Sequence, residues 1–399
     1  MLPVAEARQC VLERAGVLPA AAMPLTHAAL GRVLAEDVAS DLDMPPFDKA
    51  LMDGYAVRAG DLDGGRGTLV VIEEVQAGQV PTKTLAAGQA TRIMTGAPIP
   101  AGADAVVPHE RTRSEAGRVS IDDLRLTAEQ FILRRGREMR TGDVVLPAGT
   151  VLRPAELGVL ATVGRTTAKV IPAPRVAVIA TGDELIDPGG KPGPGQIRNS
   201  NAPMLLAQAA RAGGAVRDLG IGRDAVDSLR PLIGEALRTA DVVVLSGGVS
   251  EGKKDLVPAV LQELGVVPHF HKVRLKPGKP LFFGTREGVL VFGLPGNPVS
   301  SLVCFELFIR PALRRLAGHG ADPACFRATM AEDFTYRTDR PTYHPARVEI
   351  GEGGWRVQPV PWFGSADLRA LVRANALVLL AEGEGVYPAG QGMEVWRLD

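Results

Sequence analysis

The chain has 399 residues, enough for two to four domains at roughly 100–200 residues each. Hydrophobic residues make up 46% and charged residues 23%, so every domain can bury a core and a disordered chain is excluded. Lys plus Arg and Asp plus Glu both number 45, which leaves no net charge and none of the basic excess expected of a general nucleic-acid binder.

The three cysteines, Cys10, Cys304 and Cys325, form neither a disulfide framework nor a C-x-x-C metal pattern, which fits a reducing compartment. The first residues lack the basic flank and apolar run of a signal peptide. No stretch approaches the ~18 apolar residues of a membrane span. The expectation is a soluble cytoplasmic protein with neither nucleic acid nor membrane as partner.

In chain order, the pattern predicts helices over 4–14 and 26–34. Asp43-Met-Pro-Pro-Phe ends that pattern. Short strands are predicted over 55–58, 68–75, 90–94 and 105–107, punctuated by Gly and Pro, so this stretch reads as a mainly β module. A helix over 155–163 follows Thr141-Gly-Asp. After the linker Ile171-Pro-Ala-Pro, strands at 176–180, 215–221, 241–245, 269–275 and 289–292 alternate with helices at 202–211, 225–237, 256–264 and 299–316. Such alternation implies a doubly wound parallel sheet. Beyond Gly318, strands over 347–350, 355–360, 376–380 and 393–396 suggest a small barrel or sandwich.

An open parallel sheet binds ligands beyond the carboxyl ends of its strands. Three polar loops follow strands here and are expected on one edge: Thr181-Gly-Asp-Glu-Leu, Ser246-Gly-Gly-Val-Ser and Leu294-Pro-Gly-Asn-Pro-Val-Ser. Ser246, Gly247, Gly248 and Ser250 can present backbone N–H groups to an anion, although a tight βα turn explains the same glycines. Pro295, Gly296, Asn297 and Pro298 describe a stiff turn at a helix start, with Pro298 where no N–H is needed and Asn297 able to cap. Asp183, Glu184, Asp224 and Asp255 are the carboxylates near this edge. Hard divalent cations take a few carboxylates together with phosphate oxygens, while Asp224, ahead of a helix, also suits an N-cap.

In His271-Lys-Val-Arg-Leu-Lys-Pro-Gly-Lys, the cations Lys272, Arg274 and Lys276 alternate with Val273 and Leu275, and a strand would turn all three to one side. Lys279 follows the Pro-Gly turn. Such a row suits a phosphate or oxyanion surface, or a charged strand edge that discourages aggregation. Asp53 before Gly54, and Thr95 before Gly96, are ligand candidates or plain turn residues.

Six stretches then stand in family order. They are Pro46-Phe-Asp through Met52-Asp-Gly-Tyr-Ala-Val, Arg92-Ile-Met-Thr-Gly-Ala, Thr181-Gly-Asp-Glu-Leu, Ser246-Gly-Gly-Val-Ser, Lys276-Pro-Gly-Lys-Pro and Leu294-Pro-Gly-Asn-Pro-Val-Ser. Together they resemble the signature of the molybdopterin molybdenumtransferases, a family that includes the C-terminal domain of gephyrin. The resemblance implies a central α/β domain of molybdopterin-binding type over 173–317. It also implies a discontinuous N-terminal domain (1–42 and 142–172), an inserted mainly-β domain (43–141) and a C-terminal β-barrel (318–399).

The reaction so implied inserts molybdate into adenylylated molybdopterin, cleaves the adenylyl phosphoanhydride with help from Mg²⁺, and releases AMP and molybdenum cofactor. Family likeness also implies a homodimer whose site combines the β module of one subunit with the α/β domain of the other, and transient contact with the adenylyltransferase. Carried over by position, Asp53 and Thr95 come from the β module. Glu184, Asp224 and Asp255 sit near nucleotide and metal. Lys272, Lys276 and Lys279 handle molybdate and phosphate. Pro295 and Pro298 shape the pterin loop, and Arg347 with Ser365 form an anion-binding pair. Glu138 stands where the family often has Asp, and Glu251, Lys253 and Lys254 depart from its usual residues. The competing readings are a molybdopterin adenylyltransferase and an inactive scaffold of the same fold.

Overall fold

The computed structural model describes residues 1–249, 256–320 and 325–398. The chain forms two compact units, one of Met1–Met23, Ala29–Ala35 and Lys169–Asp399, the other of Pro24–Ala28 and Glu36–Ala168. Among the described residues no helix is long and apolar enough to cross a membrane.

Helix α1 (Val4–Arg14) opens the first unit, with Glu6 in its first turn and Arg14 in its last, each favourably placed in the helix dipole. The helix expected over 26–34 is absent. A single 3₁₀ turn covers His27–Ala29, and Val33–Leu34 is a strand paired with Val170 and Ile171. Burial of Val33 and Leu34 against that strand overrides their local helical pattern.

The second unit is built on a six-stranded sheet of β1 (Gly54–Val57), β2 (Arg66–Val75), β3 (Gln89–Ile93), β4 (Ala105–Pro108), β5 (Thr112–Glu115) and β6 (Arg118–Asp122). Their order is β4-β1-β3-β2-β6-β5, antiparallel except for β2 beside β3. Period-two alternation divides its apolar residues between two cores: Tyr55 and Val107 enter one, Ala56 and Val106 the other. Helix α2 (Pro154–Thr162) follows, with the carboxylate of Glu156 accepting the N–H of Arg153 at 2.9 Å.

The first unit resumes with β7 (Arg175–Thr181), α3 (Asn201–Arg211), β8 (Ala215–Gly222), α4 (Val226–Thr239), β9 (Val242–Ser246), α5 (Val257–Glu263), β10 (Val267–Lys272), β11 (Pro280–Arg286) and β12 (Val289–Leu294). Sheet order is β8-β7-β9-β12-β11-β10. Val176, Val178, Val242 and Val244 pack with α3, while Ala177, Ile179, Val243 and Leu245 pack with α4 and α5. The sheet is therefore covered on both faces, which is why its central strands are continuously apolar. It is not wholly parallel. The sequence reading passed over β11, which runs antiparallel to both β12 and β10.

The helix expected over 299–316 is three pieces: α6 (Pro298–Cys304), a π-helical turn (Phe305–Ile309) and α7 (Arg310–Leu316). Pro311, with no N–H to give, sits at the start of α7 and accounts for the interruption of the α-helical ladder. Strands β13 (Cys325–Met330), β14 (Thr342–Gly351), β15 (Gly354–Pro359), β16 (Ala376–Leu380) and β17 (Gly392–Arg397) close a barrel in the order β13-β15-β14-β16-β17. Closure removes the exposed sheet edges that a sandwich would leave.

Candidate active site

Strands β7, β9 and β12 are parallel neighbours whose carboxyl ends are in register, Ala180 with Ser246 and Ser246 with Leu294. The three loops that follow them therefore emerge together. In the Gly-rich loop, Gly247 has φ +100°, and a Cβ there would lie 2.3 Å from the carbonyl oxygen of Thr181. Close packing against β7 thus demands this glycine. Its N–H is already given to the carbonyl of Leu294 at 3.0 Å, so it is not open to an anion.

Asn201, the first residue of α3, fastens two of the loops. Its Nδ2 donates to Ser246 Oγ at 2.8 Å and to the carbonyl of Gly296 at 2.7 Å. In the third loop Ser301 Oγ donates to the carbonyl of Pro295 at 2.6 Å. Asn297 occupies the N-cap position of α6 but its side chain does not cap. Instead Nδ2 donates to Ser365 Oγ at 2.8 Å, and the Val299 N–H donates to the carbonyl of Ser365 at 3.0 Å.

On the acidic side, Glu184 and Asp224 line one cleft of about 360 Å³ with Thr181, Gly247, Gly248 and Asn297. The Glu184 carboxylate folds back over Gly182, where a Cβ would stand 2.5 Å from Oε2. Arg223 stiffens this loop by donating to the carbonyls of Gly182, Asp183 and Leu185 at 3.3, 3.2 and 2.8 Å. Asp183 Oδ1 accepts the N–H of Asp224 at 3.1 Å. Asp224 is not the N-cap of α4; Ala225 is. Ser250 and Asp255, with Glu251, Lys253 and Lys254, lie outside the described residues.

The cationic row is not one strand face. β10 ends at Lys272, paired with Pro280, and the chain then turns through Lys276-Pro277-Gly278. Lys276 is drawn to the barrel: its N–H donates to the carbonyl of Pro341 at 2.9 Å, and its carbonyl accepts from Tyr343 at 2.8 Å. Arg274 is paired with Glu382. Lys276 and Lys279 line a second cleft of about 1000 Å³, where they are joined by Arg340, a cation the sequence reading did not select. Gly278 has φ +116°, and a Cβ on it would meet Cys304 Sγ at 2.5 Å, so the turn closes directly onto the buried thiol. Burial pushes that thiol well above its ordinary pKa and keeps it an unreactive packing group.

Ser365 and Asn297 line this larger cleft, while Arg347 does not. It is exposed on β14, opposite Gln358, which does. In the β-rich unit Asp53 and Thr95 are joined: Asp53 Oδ1 accepts the Thr95 N–H and hydroxyl, both at 2.7 Å. Those two bonds hold the Asp53 carboxyl below its ordinary pKa, with His109 acting in the same direction. Glu138 is 3.7 Å from Lys49.

Fold and site define a class: multidomain α/β proteins with three polar loops gathered at the carboxyl edge of a doubly wound sheet. Comparison with known proteins narrows it. The family models "MoeA N-terminal region (domain I and II)", "Probable molybdopterin binding domain" and "MoeA C-terminal region (domain IV)" match residues 2–164, 177–315 and 327–398. The chain belongs to the molybdopterin molybdenumtransferase family. It is 36% identical over 404 residues to the molybdopterin molybdenumtransferase of Staphylococcus aureus strain Mu50, covering 99% of this chain and 95% of that one. To the Staphylococcus epidermidis strain RP62A protein of the same name it is 36% identical over 372 residues, covering 92% and 88%. The crystal structure of the molybdopterin biosynthesis MoeA protein from Pyrococcus horikoshii superposes with a TM-score of 0.82 at 33% identity, covering 100% of this chain and 99% of the other.

Proposed function

We propose that this protein is a molybdenum insertase: it takes adenylylated molybdopterin and molybdate, cleaves the adenylyl phosphoanhydride, and releases AMP and molybdenum cofactor. The observation that carries this reading is the continuity of two chemically different clefts. Pro280, Pro295 and Asn297 line both the acidic cleft at the Gly-rich loop and the cationic cleft of Lys276 and Lys279. One ligand reaching across those residues meets carboxylates at one end and cations at the other. An adenylylated dithiolene needs both, carboxylates near a phosphate-bound cation and lysines near the oxyanion.

Glu184 and Asp224 suit Mg²⁺, which is usually bound by one or two carboxylates and completed by substrate phosphate oxygens. Asp255 is proposed as a third. When bound, Mg²⁺ neutralises phosphate charge as the anhydride breaks. Among the described residues no group of three or more His, Cys, Asp or Glu side chains that could hold a metal ion is present, and Asp255 lies outside them. Lys276, Lys279 and Lys272 are assigned to molybdate and phosphate, and Ser246 and Gly248 to the ligand's phosphate region. Pro295, Gly296, Asn297 and Pro298 shape the loop between the two clefts. Arg347 and Ser365 are proposed as an anion-binding pair, Ser365 within the larger cleft and Arg347 on β14 outside its lining. Asp53 and Thr95 are proposed to serve the partner's site in a homodimer, a role open to them because both are exposed. Cytoplasmic location, transient contact with the adenylyltransferase and the four-domain scheme 1–42 with 142–172, 43–141, 173–317 and 318–399 complete the reading.

The test is AMP release from adenylylated molybdopterin and Mg²⁺, with and without molybdate. Molybdate-dependent release that Asp255→Asn abolishes is expected. Absence of release, with tight binding of ATP and unadenylylated molybdopterin, would overturn the reading in favour of an adenylyltransferase.

A further inference from the structure

The cleft beside Lys276 and Lys279 holds about 1000 Å³. That is the upper end of the roughly 300–1,000 Å³ typical of sites for drug-sized organic ligands, and far more than a tetrahedral oxyanion fills. Its lining says what the rest of the space is for. The rings of Phe334 and Tyr336 stack at 5.9 Å with 14° between planes. His344 meets Tyr336 edge-on at 5.2 Å and Trp362 at 5.2 Å, so the four rings form one continuous aromatic wall. Lys276 Nζ lies 5.9 Å from the centroid of Tyr336, which puts a cation beside a ring face.

Phe363 completes this lining and is 98% exposed. It is not a loose loop residue, because its N–H donates to Asp367 Oδ2 at 3.1 Å, and Asp367 in turn caps the helix Leu368–Arg373. A single exposed apolar side chain needs no explanation. A solvent-facing ring on an anchored backbone, at the rim of a cleft already lined by aromatics and lysines, is a stacking platform open to a flat partner.

We infer that Phe363, with the Phe334–Tyr336–Trp362 wall behind it, receives the flat heterocycle of the ligand, and that this heterocycle is the pterin and not the adenine. The assignment to pterin rests on the function proposed above and on the connectivity of the ligand. In adenylylated molybdopterin the dithiolene lies between the pterin and the phosphates, and the adenine lies beyond them. With the phosphates at the carboxylate and Gly-rich end, and the dithiolene beside Lys276 and Lys279, only the pterin extends toward the aromatic wall. Phe363 is then a specificity-determining residue for ring recognition.

The test uses the full chain and two separate probes, a 6-hydroxymethylpterin phosphate and AMP, each titrated by calorimetry into wild type, Phe363→Ala and Phe363→Trp. Stacking on one aromatic ring changes affinity by about tenfold or more on removal. Phe363→Ala is expected to weaken pterin phosphate binding by about that factor and to leave AMP affinity unchanged, and Phe363→Trp to keep or strengthen it. Because the side chain is exposed, both variants should fold with unchanged melting. Equal losses for both probes, unchanged pterin affinity in Phe363→Ala, or no pterin binding by wild type overturns the inference. The insertase reading is scored separately by molybdate-dependent AMP release in wild type. A protein that selects pterin through Phe363 but releases no AMP would refute that reading while keeping the ring platform.

Discussion

Asn201 donates its amide to Ser246 Oγ across 2.8 Å, and the same nitrogen reaches the carbonyl of Gly296 at 2.7 Å. One buried side chain thereby ties the Gly-rich loop to the proline loop. Among the described residues its Oδ1 is buried without a partner. An orphaned acceptor costs stability, so the two bonds from Nδ2 are what the site keeps this residue for. With Asn201 as donor, the Ser246 hydroxyl hydrogen is left to point elsewhere.

Asn201→Asp tests this. An Asp oxygen could accept from Ser246, whose hydroxyl can rotate, but it would face the Gly296 carbonyl as acceptor against acceptor. Leaving a buried polar group unpaired costs roughly 1–3 kcal/mol. The expected result is a lower urea midpoint together with a loss of molybdate-dependent AMP release. Unchanged release at unchanged stability would show that the two loops hold their places without Asn201.

Gly247→Ala should be as damaging for a steric reason. The φ of +100° is unfavourable for alanine, and its Cβ would lie 2.3 Å from the Thr181 carbonyl oxygen. Backbone strain of this kind costs about 1–3 kcal/mol before any clash is relieved. Thermal melting reads the loss directly, and a variant as stable as wild type would mean the loop shifts freely.

The cation-row correction has its own consequence. Arg274 is engaged with Glu382, whereas Lys276 and Lys279 face the large cleft. Lys276→Met and Lys279→Met are expected to raise the molybdate concentration needed for half-maximal AMP release by tenfold or more, on the order of one charge-assisted contact. Arg274→Met should leave it within about twofold, since a rim ion pair contributes little. Equal effects at all three positions would restore the single charged face.

Why periodicity misplaced Arg274 while finding so much else is a physical matter. The unbroken apolar runs Val176–Ala180 and Val242–Leu245 were legible as strands because each face of the sheet meets its own layer of helices. A two-residue period cannot tell where a strand stops, and β10 stops at Lys272 because its partner β11 begins at Pro280. β11 itself was hidden behind the Lys-Pro-Gly-Lys-Pro turn. The three loops were legible as strand ends. Asn201 was not, since its partners lie 45 and 95 residues away and a helix-starting Asn carries no mark of a distant bond. Arg340 was missed for the same reason, because only the barrel's closure brings it to the cleft of Lys276.

In the β-rich unit, Thr95→Val removes one of the two bonds that hold the Asp53 carboxyl low and keeps the backbone one. Asp53 should then titrate closer to the ordinary ~3.9 of an aspartate, measured by carbon NMR of the side-chain carboxyl. A depressed carboxylate stabilises the fold above its unfolded pKa, and that contribution fades as pH falls through the folded value. The substitution should therefore shift the acid limb at Asp53 upward in pH. No change in the titration would mean the Thr95 hydroxyl does not reach the carboxylate in solution.

His344 sets a second acid limit. It is 2% exposed between Tyr336 and Trp362, and Nδ1 donates to the carbonyl of Pro345 at 2.8 Å. Burial pushes its pKa down to about 4, which outweighs the raising effect of that hydrogen bond, and the charge of Lys276 adds to the lowering. The folded value lies below the unfolded value of roughly 6.5, so unfolding takes up a proton as the pH drops. Stability due to a neutral His344 is complete above about pH 6.5 and is lost progressively toward pH 4, by an amount of order 3 kcal/mol at most. His344→Phe keeps an aromatic ring in the wall but cannot take the proton. Urea unfolding of wild type and His344→Phe at half-unit intervals between pH 7 and pH 4 should show wild type losing stability relative to the variant as the pH falls, because only wild type carries this loss. Parallel curves over the whole interval would mean that the ring reaches water before it must accept a proton, and that the aromatic wall opens more readily than its packing implies.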